Sequence, residues 1–218
     1  NDQLTQIKVE DIMLDRLVVE FDKVLKNLFH KPLSTRAHPD EQIQDGEFSD
    51  AERKHIIGLM RINHCGEICA QGLYQGQAIT ARDNSYKQAF EHAAYEEIEH
   101  LAWTEQRIHE LGGKTSLLNP LFYAGSLAIG ITAGVLGDKW SLGFLEETEK
   151  QVESHLSEHL EKLPPHDNKS QAILQQMKED EIKHAHMAHD FGAAELPAIV
   201  VKTMQATSKV MTGAAYRI

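Results

Sequence analysis

The sequence predicts an all-α protein, and three observations predict this fold class. Ala, Glu, Gln, Lys and Leu, which favour helices, are abundant, whereas the chain of 218 residues contains only 6 Pro and 6% aromatic residues. No Val-, Ile- or Thr-rich runs alternate in the way that strands require. Long segments instead place apolar residues at intervals of three and four. The length suffices for one well-buried core.

The N-terminal part is predicted to contain one helix and a linker. Residues 7–29, IKVEDIMLDRLVVEFDKVLKNLF, place apolar residues mostly at helical spacing, which indicates an amphipathic helix. The next stretch, HKPLSTRAHPDEQIQDGEFSD, has Pro, Gly, Asp and Ser without periodicity. We therefore divide the chain into residues 1–49, a helix and an extended linker, and residues 50–218, the main domain.

The main domain is predicted to contain four long helices and a closing amphipathic helix. Ser49 or Asp50 is a good N-cap, DNS forms a turn, Gly112-Gly113 ends the second helix, and PPHDN separates the last two long helices. The predicted bounds are about 50–82, 85–111, 139–163 and 168–191, with the closing helix after Pro197.

Residues 115–137, TSLLNPLFYAGSLAIGITAGVLG, carry no charge. Their length would reach across a bilayer, but Asn119, Pro120 and several Gly make a poor spanning helix. The alternatives are a buried helical hairpin and a surface that dips into a membrane or receives an apolar ligand.

Charge and cysteine content narrow the classes of partner. The formal net charge is −11 and no basic run occurs, so we expect no nucleic-acid partner. Cys65 and Cys69 lie four residues apart in one predicted helix and form no disulfide framework. The N-terminus, NDQLTQIKVED, lacks an apolar signal core and an Arg-rich transit pattern, which predicts a cytoplasmic or already processed protein.

The pattern Glu-x-x-His occurs as Glu97 with His100 and as Glu181 with His184. A third pair, Glu52 with His55, shows that chance can produce it, since the chain contains 13 His. A larger arrangement is therefore needed before the pattern predicts a site.

Helix spacing supplies that arrangement. Glu67 precedes the first turn by nearly as many residues as Glu97 follows it, so an antiparallel hairpin brings both carboxylates to one height. His100 lies one turn beyond Glu97 on the same face. In the second half, Glu153 stands in the same relation to Glu181 and His184, although Glu149 is a rival on the same helix.

The repeated set predicts a ferritin-like four-helix bundle with additional N-terminal and C-terminal amphipathic helices. In ferritin-like di-iron proteins two helices give one Glu each and the other two give Glu-x-x-His. Carboxylates can bridge and neutralise two cations, and one imidazole per metal leaves positions open for oxygen. We therefore predict a di-iron centre. His64 is either close to the ligands or a packing residue, and His155, His186 and His189 are predicted to be solvated.

The segments RINHCGEICAQGLYQGQ, YEEIEHLAW and DEIKHAH resemble the bacterial type of the demethoxyubiquinone hydroxylase family of ubiquinone biosynthesis. The resemblance covers residues 50–218 and implies metal ligation by Glu67, Glu97, His100, Glu181 and His184. VESHLSEH resembles the family's third-helix stretch, in which a Val-Glu ligand is followed six positions on by His. This similarity selects Glu153 over Glu149 and makes His159, like His64, a candidate neighbour of the ligands.

The resemblance also implies an activity. It predicts a monooxygenase that uses O2 and electrons from NADH to hydroxylate C5 of 2-polyprenyl-3-methyl-6-methoxy-1,4-benzoquinol. It further implies two iron ions as cofactors, a peripheral location on the cytoplasmic face of the bacterial cell membrane, and possible protein partners of ubiquinone biosynthesis. Two other functions would use the same residues differently: a ferritin- or rubrerythrin-like protein that binds iron or removes peroxide, and a membrane-surface scaffold without metal.

Overall fold

A computed structural model describes residue 15 and residues 18–218, and it divides the chain into two compact units, Asn1–Lys31 and Pro32–Ile218. In the first unit, α1 is helical over residues 18–29 and exposes Val18, Phe21 and Phe29. This confirms the described part of the predicted N-terminal helix. Residues 7–14, 16 and 17 of that prediction lie outside the described residues. The division falls after Lys31, whereas we placed the domain boundary after residue 49.

The second unit is built from helices, and the described residues contain no strand, which confirms the all-α prediction. The helices are α2 Asp50–Thr80, α3 Asn84–Glu110, α4 Asn119–Leu136, α5 Asp138–Lys162, α6 Asn168–Asp190 and α7 Ala198–Ala215. These bounds agree with the predicted ones to within a few residues.

Local chemistry explains where the long helices begin and end. Ser49 caps α2, and Glu52 completes a reciprocal capping box with it. After α3, Gly112 adopts φ +79°, which favours glycine, and the Gly113 amide donates to the Ile108 carbonyl. The predicted stop at this pair of glycines is confirmed.

The helices α2, α3, α5 and α6 form a four-helix bundle from two hairpins, α2 with α3 and α5 with α6. The connection between the hairpins contains α4, which packs along α2 at close range. Glycines permit this approach: a Cβ at Gly76 would lie 2.5 Å from the Leu127 carbonyl oxygen, and one at Gly130 would meet the Leu73 carbonyl.

The bundle interior has two apolar cores with a polar layer between them. One core contains Met60, Trp103 and Met177, and the other contains Tyr74, Phe90 and Leu142. Along each of the four helices, the predicted ligand positions fall between the residues of these two cores. The polar layer is therefore enclosed by apolar packing at both ends.

The uncharged segment forms one helix, so the buried-hairpin alternative is wrong. By length and composition α4 could cross a membrane, and 28% of its residues are buried in the protein. One face packs on α2, while Leu121, Val135 and Leu136 are exposed. Neither α4 nor α7 contains an acidic residue, in a chain with 33 of them.

Candidate metal centre

Six ionisable side chains from the four bundle helices meet in the polar layer. They fall into two groups whose possible ligand atoms lie within 4.8 Å of one another: Glu67, Glu97, His100 and Glu181, and then Glu97, Glu149, Glu181 and His184. All six side chains are buried. Glu97 and Glu181 belong to both groups, so the polar layer contains two adjacent candidate sites that share these two carboxylates.

The first group surrounds one nitrogen of His100. His100 Nδ1 lies 2.7 Å from Glu97 Oε2, 3.2 Å from Glu181 Oε1 and 3.7 Å from Glu67 Oε2. The antiparallel hairpin therefore places Glu67 and Glu97 at one height, as their spacing predicted.

The second group surrounds His184 in the same way, using the other oxygens of the shared carboxylates. His184 Nδ1 lies 3.2 Å from Glu97 Oε1, 3.3 Å from Glu181 Oε2 and 3.9 Å from Glu149 Oε1. Each shared carboxylate thus points one oxygen at each centre. This geometry suits two cations: Glu97 and Glu181 would contact both, and Glu67 and Glu149 would each contact one.

Unpartnered atoms in this layer fit a metal pair. Both oxygens of Glu97, His100 Nδ1 and Glu181 Oε1 are buried without a hydrogen-bond partner, although they face one another. Buried polar atoms without partners are rare because desolvation is costly. Four carboxylates and two neutral imidazoles carry a charge of −4, which two divalent cations would balance. Oxygen and imidazole ligands without thiolate suit iron better than structural zinc.

The pKa values reflect the burial of these carboxylates and the repulsion between them. Burial and the neighbouring Glu97 charge raise the pKa of Glu67 well above its usual range. Burial and the charges of Glu181 and Glu97 do the same to the pKa of Glu149. Burial also acts to raise the pKa of Glu97, but His100 and His184 outweigh it and lower that pKa. Protons therefore offset the excess negative charge where cations do not.

The prediction that Glu153 supplies the third-helix carboxylate is corrected by the structure. Its side chain is 34% exposed, and its carboxylate pairs with Lys178 at 3.4 Å, outside both groups. Glu149 occupies the position instead, buried and accepting a hydrogen bond from the Tyr74 hydroxyl. The two residues are one helical turn apart, so spacing from a turn could not separate them. The family pattern fits Glu149 only in part: His155 stands six positions beyond it, but Thr148 precedes it where the pattern has Val.

Two carboxylates that sequence reasoning missed hold the outer nitrogens of the histidines. His100 Nε2 lies 3.4 Å from Asp180 Oδ2, and His184 Nε2 lies 2.7 Å from Glu96 Oε2. Such contacts leave Nδ1 free to face a metal. A sequence signal existed: each missed residue directly precedes a shared Glu, so both segments read acidic-Glu-x-x-His. Each segment's first acidic residue contacts the other segment's histidine.

The histidines predicted as possible neighbours of the ligands make their hydrogen bonds elsewhere. His159 Nδ1 lies 2.8 Å from Asn63 Oδ1, and His64 Nδ1 lies 3.5 Å from Asn119 Nδ2. Burial lowers the pKa of His159 to about 4 and that of His64 to about 3. Both rings are therefore neutral and packed inside the protein.

An apolar cavity of about 510 Å³ opens on one side of the polar layer. Residues of α2, α4, α5 and α7 line it, and Glu67 is the single carboxylate among these described lining residues. Thr148, Gln151 and His155 provide polar groups along α5. His155, which we predicted to be solvated, is partly buried in this wall. The cavity therefore connects apolar surface to one end of the ligand set.

Comparison with known proteins gives the family. The family model described as "Ubiquinone biosynthesis protein COQ7" matches residues 54–215. The chain is 62% identical over 206 residues to the 3-demethoxyubiquinol 3-hydroxylase of Chromobacterium violaceum, covering 94% of this chain and 100% of the relative. Proteins of the same name from Laribacter hongkongensis and Dechloromonas aromatica are each 58% identical, over 94% and 93% of this chain and 100% and 98% of the relatives.

Relatives this similar over nearly the whole chain show that the protein is an enzyme of the hydroxylase class. The match also confirms the resemblance on which the sequence-based expectations rested. The chain therefore belongs to the COQ7 family of ubiquinone biosynthesis proteins.

Proposed function

We propose that this enzyme is an oxygen-dependent monooxygenase that hydroxylates the ring of a polyprenylated demethoxyubiquinol. The observation that carries the proposal is the layer of four buried carboxylates and two histidines at the end of an apolar cavity. A storage protein or a peroxide-removing protein could use the same ligands, but it would have no need for an apolar cavity of this size.

Two iron ions are the metals that this ligand set fits best. Glu67 and His100 would hold one ion, Glu149 and His184 would hold the other, and Glu97 and Glu181 would contribute to both. Such a pair would supply the activation of dioxygen, with one oxygen atom entering the ring and the other leaving as water. This balance requires two electrons and two protons, and in our proposal NADH is the source of the electrons.

The carbon that is hydroxylated follows from the substitution of the ring. In 2-polyprenyl-3-methyl-6-methoxy-1,4-benzoquinol, C5 is the single ring carbon without a substituent. When the ring is numbered so that the methoxy group is on C2, the same carbon becomes C3, the position in the relatives' name. We therefore propose hydroxylation at this carbon.

The cavity's own residues would bind the quinol and keep water out. Its apolar walls suit the ring and the first part of the polyprenyl chain, and Glu67 lies where the ring would meet the metals. Burial lowers the pKa of His155, so the ring of this residue is neutral at physiological pH. Neutral His155, with Gln151 beside it in the wall, can exchange hydrogen bonds with a quinol hydroxyl and thereby orient the ring.

A membrane surface would deliver such a substrate. The exposed faces of α4 and α7 border the cavity, include Leu121, Val135 and Ile199, and carry Lys202 and Lys209 without any acidic residue. Apolar side chains with basic neighbours favour shallow insertion into an anionic bilayer surface. We propose a peripheral location on the cytoplasmic face of the bacterial membrane, where other proteins of ubiquinone biosynthesis could act as partners.

The hydroxylase proposal is tested by measuring iron per chain, oxygen uptake and product mass with a short-chain demethoxyquinol and NADH. Gly66→Leu is the informative variant because Gly66 lines the cavity and a Cβ there meets no atom within 4 Å. We expect it to keep two irons per chain while quinol turnover falls at least about 10-fold, since the added side chain fills the ring's space.

Gly213→Leu is the matched control. Gly213 also lies in a helix with open space around it, but it does not line the cavity. It should behave as the unchanged protein does. Normal turnover in Gly66→Leu would contradict the assignment of the cavity, oxygen uptake indifferent to quinol would favour iron storage or peroxide removal, and failure to bind iron would contradict the metal centre itself.

Membrane binding is tested separately with phospholipid vesicles. Leu117 and Val135 are exposed and lie outside the cavity lining, so Leu117→Lys with Val135→Lys should lower vesicle binding at least about 10-fold. Ser154→Lys with Gln175→Lys adds the same charge to exposed positions on α5 and α6 and should leave binding intact. Unchanged binding of the first pair would remove the membrane proposal and leave the hydroxylase proposal standing.

A further inference from the structure

The segment before α2 is fastened to the bundle beside the metal centre. Glu99, a buried residue of α3, accepts hydrogen bonds from the Thr35 amide at 2.9 Å, the Thr35 hydroxyl at 2.6 Å and the Arg36 amide at 3.2 Å. The Ser34 hydroxyl donates to the same carboxylate. We call residues 34–36 the strap. A single buried carboxylate thus holds the backbone of Thr35 and Arg36 and the side chain of Ser34.

From this anchored backbone, Arg36 reaches the outer partner of His100. Arg36 Nη1 lies 2.8 Å from Asp180 Oδ2, the same oxygen that faces His100 Nε2 at 3.4 Å. The side chain of Asp180 is 8% exposed, and Lys183 Nζ contacts its other oxygen at 2.9 Å. Asp180 therefore has its rotamer set by partners on both sides, and it presents one oxygen to the imidazole.

The strap also holds the ring that packs on His100. The Trp103 indole lies 5.4 Å from the His100 ring, centroid to centroid, and donates its N–H to Ser34 Oγ at 3.2 Å. The Arg36 guanidinium lies over this indole, 4.9 Å from the ring centroid. His100 is thus confined by Asp180 at Nε2 and by the tilted ring of Trp103, and strap residues contact both.

We propose that the strap is a positioning element for one metal position: it fixes the orientation and tautomer of His100 through Asp180 and Trp103. The inference rests on the proposed metal centre. Arg36 and Asp180 touch no reacting atom, so they act through the ligand: they keep the proton on Nε2, where it donates to the Asp180 carboxylate, and leave Nδ1 aimed at the centre. The predicted linker then contributes to the site, although it lies outside the recognised motifs.

The two metal positions should consequently differ in how they depend on the strap. His184 has Glu96 as its outer partner, and no strap residue contacts either of them among the described contacts. Loss of a strap contact should therefore weaken metal binding at the His100 position and leave the His184 position nearly unchanged.

The test uses anaerobic Co²⁺ titration of the full chain, because the visible absorption of Co²⁺ reports each binding step and its ligand geometry. Arg36→Gln removes the charge and the stacking cation, and Asp180→Asn removes the charge of the outer partner with little change in shape. Either change should weaken one of the two Co²⁺ steps about 10-fold to 100-fold and shift the spectrum of that step alone. Arg36→Lys, which keeps a charge, should recover part of the affinity.

Lys169→Gln is the control for loss of fold stability. Lys169 of α6 forms ion pairs with Asp40, four residues beyond the strap, at 3.6 Å and with Glu110 at 3.2 Å. Neither of these pairs involves His100 or Asp180. It should change the melting temperature and leave both Co²⁺ steps intact. The inference is overturned if Arg36→Gln weakens both steps equally, changes neither, or matches Lys169→Gln. If the unchanged protein binds no Co²⁺, the proposed metal centre fails first and the strap's role with it.

Discussion

His100 and His184 occupy equivalent places in the two Glu-x-x-His segments, yet their outer nitrogens meet different surroundings. His100 faces Asp180, which is 8% exposed and paired with Arg36. His184 faces Glu96, which is 37% exposed and has only the exposed His92 as a second close neighbour among the described ion pairs. The inner ligands are matched pair by pair, whereas the outer contacts are not.

This difference shows that the inner carboxylates and the outer contacts of the histidines are determined by different features of the chain. The inner layer follows from helix periodicity repeated in two hairpins, so both halves reproduce it. The outer contacts depend on what the rest of the chain brings to each histidine, and the strap reaches only one of them. A repeat can therefore give equal ligands and unequal control of the two metal positions.

The largest effect should come from the ligands that the two halves share. Glu181→Gln removes a carboxylate that faces both His100 and His184, so we expect loss of both metal ions and a fall in quinol turnover of more than about 100-fold. Glu67→Gln and Glu149→Gln should each weaken a single ion. Metal analysis per chain after saturation and buffer exchange distinguishes the two classes, and equal losses in all three variants would contradict the assignment of shared and terminal carboxylates.

The metal-free protein should respond in the opposite direction. Burial and the neighbouring carboxylates raise the pKa of Glu149, so the layer without cations is under electrostatic strain. Glu149→Gln replaces that carboxyl by a neutral amide of similar shape, so it removes the cost of ionising this position. We therefore expect metal-free Glu149→Gln to melt at least as high as the metal-free unchanged protein, while the ranking reverses with metal. A lower melting temperature in both states would point to a packing defect instead.

The outer carboxylates should rank as their burial does. Asp180→Asn is expected to weaken the His100 position about 10-fold to 100-fold, and Glu96→Gln to weaken the His184 position less than about 10-fold. The reason is that water can replace the exposed Glu96 as a partner for His184, whereas it cannot reach the enclosed side of Asp180. Stepwise Co²⁺ affinities should be measured on both variants. A larger loss of Co²⁺ affinity in Glu96→Gln than in Asp180→Asn would contradict this ranking.

His159, a buried histidine outside the polar layer, should have a smaller effect, on how stability depends on pH. His159 is paired with neutral Asn63, and burial lowers its pKa to about 4, below the unfolded value of 6.5. As pH falls from 6.5 to about 4, His159 therefore binds a proton in the unfolded chain but stays neutral in the folded chain. This one group should reduce the free energy of unfolding by up to about 1.4 kcal/mol per pH unit in that window.

Denaturant titrations of metal-free His159→Gln and of the unchanged protein test this directly. The variant keeps a neutral polar group beside Asn63 and loses the titrating ring, so its stability should depend less steeply on pH by close to one proton. Both proteins should have the same slope above pH 7. Parallel curves throughout the acid range would mean that His159 is protonated in the folded protein.

The features set by local sequence were predictable. The cap at Ser49 and the glycines at 112 and 113 fixed helix ends, and the spacing of Glu67, Glu97 and His100 predicted that these three side chains meet. The strap was not predictable, because Ser34 to Arg36 lack periodicity and their partner Glu99 is more than 60 residues away. Contacts at that separation depend on how the completed bundle presents a buried carboxylate, which a single sequence pattern does not contain.

The uncharged segment shows an intermediate case. Its composition predicted an unusual apolar surface but left open whether it was buried, since apolar residues suit a core and a lipid surface equally. The glycines that let α4 approach α2 determine how much of α4 is buried. They allow one narrow face of α4 to pack on α2, and the opposite face stays exposed. The same composition could have formed a fully buried helix in a chain that covered it.

The choice between Glu149 and Glu153 marks the limit of spacing arguments, and it gives the smallest predicted effect. Residues one turn apart share a helix face, so only packing by partners such as Tyr74 assigns the buried position. Glu153→Gln should leave two metal ions per chain and change the free energy of unfolding by less than about 1 kcal/mol, because it removes a partly exposed ion pair with Lys178 and keeps an oxygen that can accept from the Ser157 hydroxyl. Lys178→Gln, which removes the same pair from its other side, should match it in both measurements. If Glu153→Gln instead lost one metal ion while Lys178→Gln lost none, Glu153 would be a ligand after all and α5 would have to shift along the bundle when metal binds.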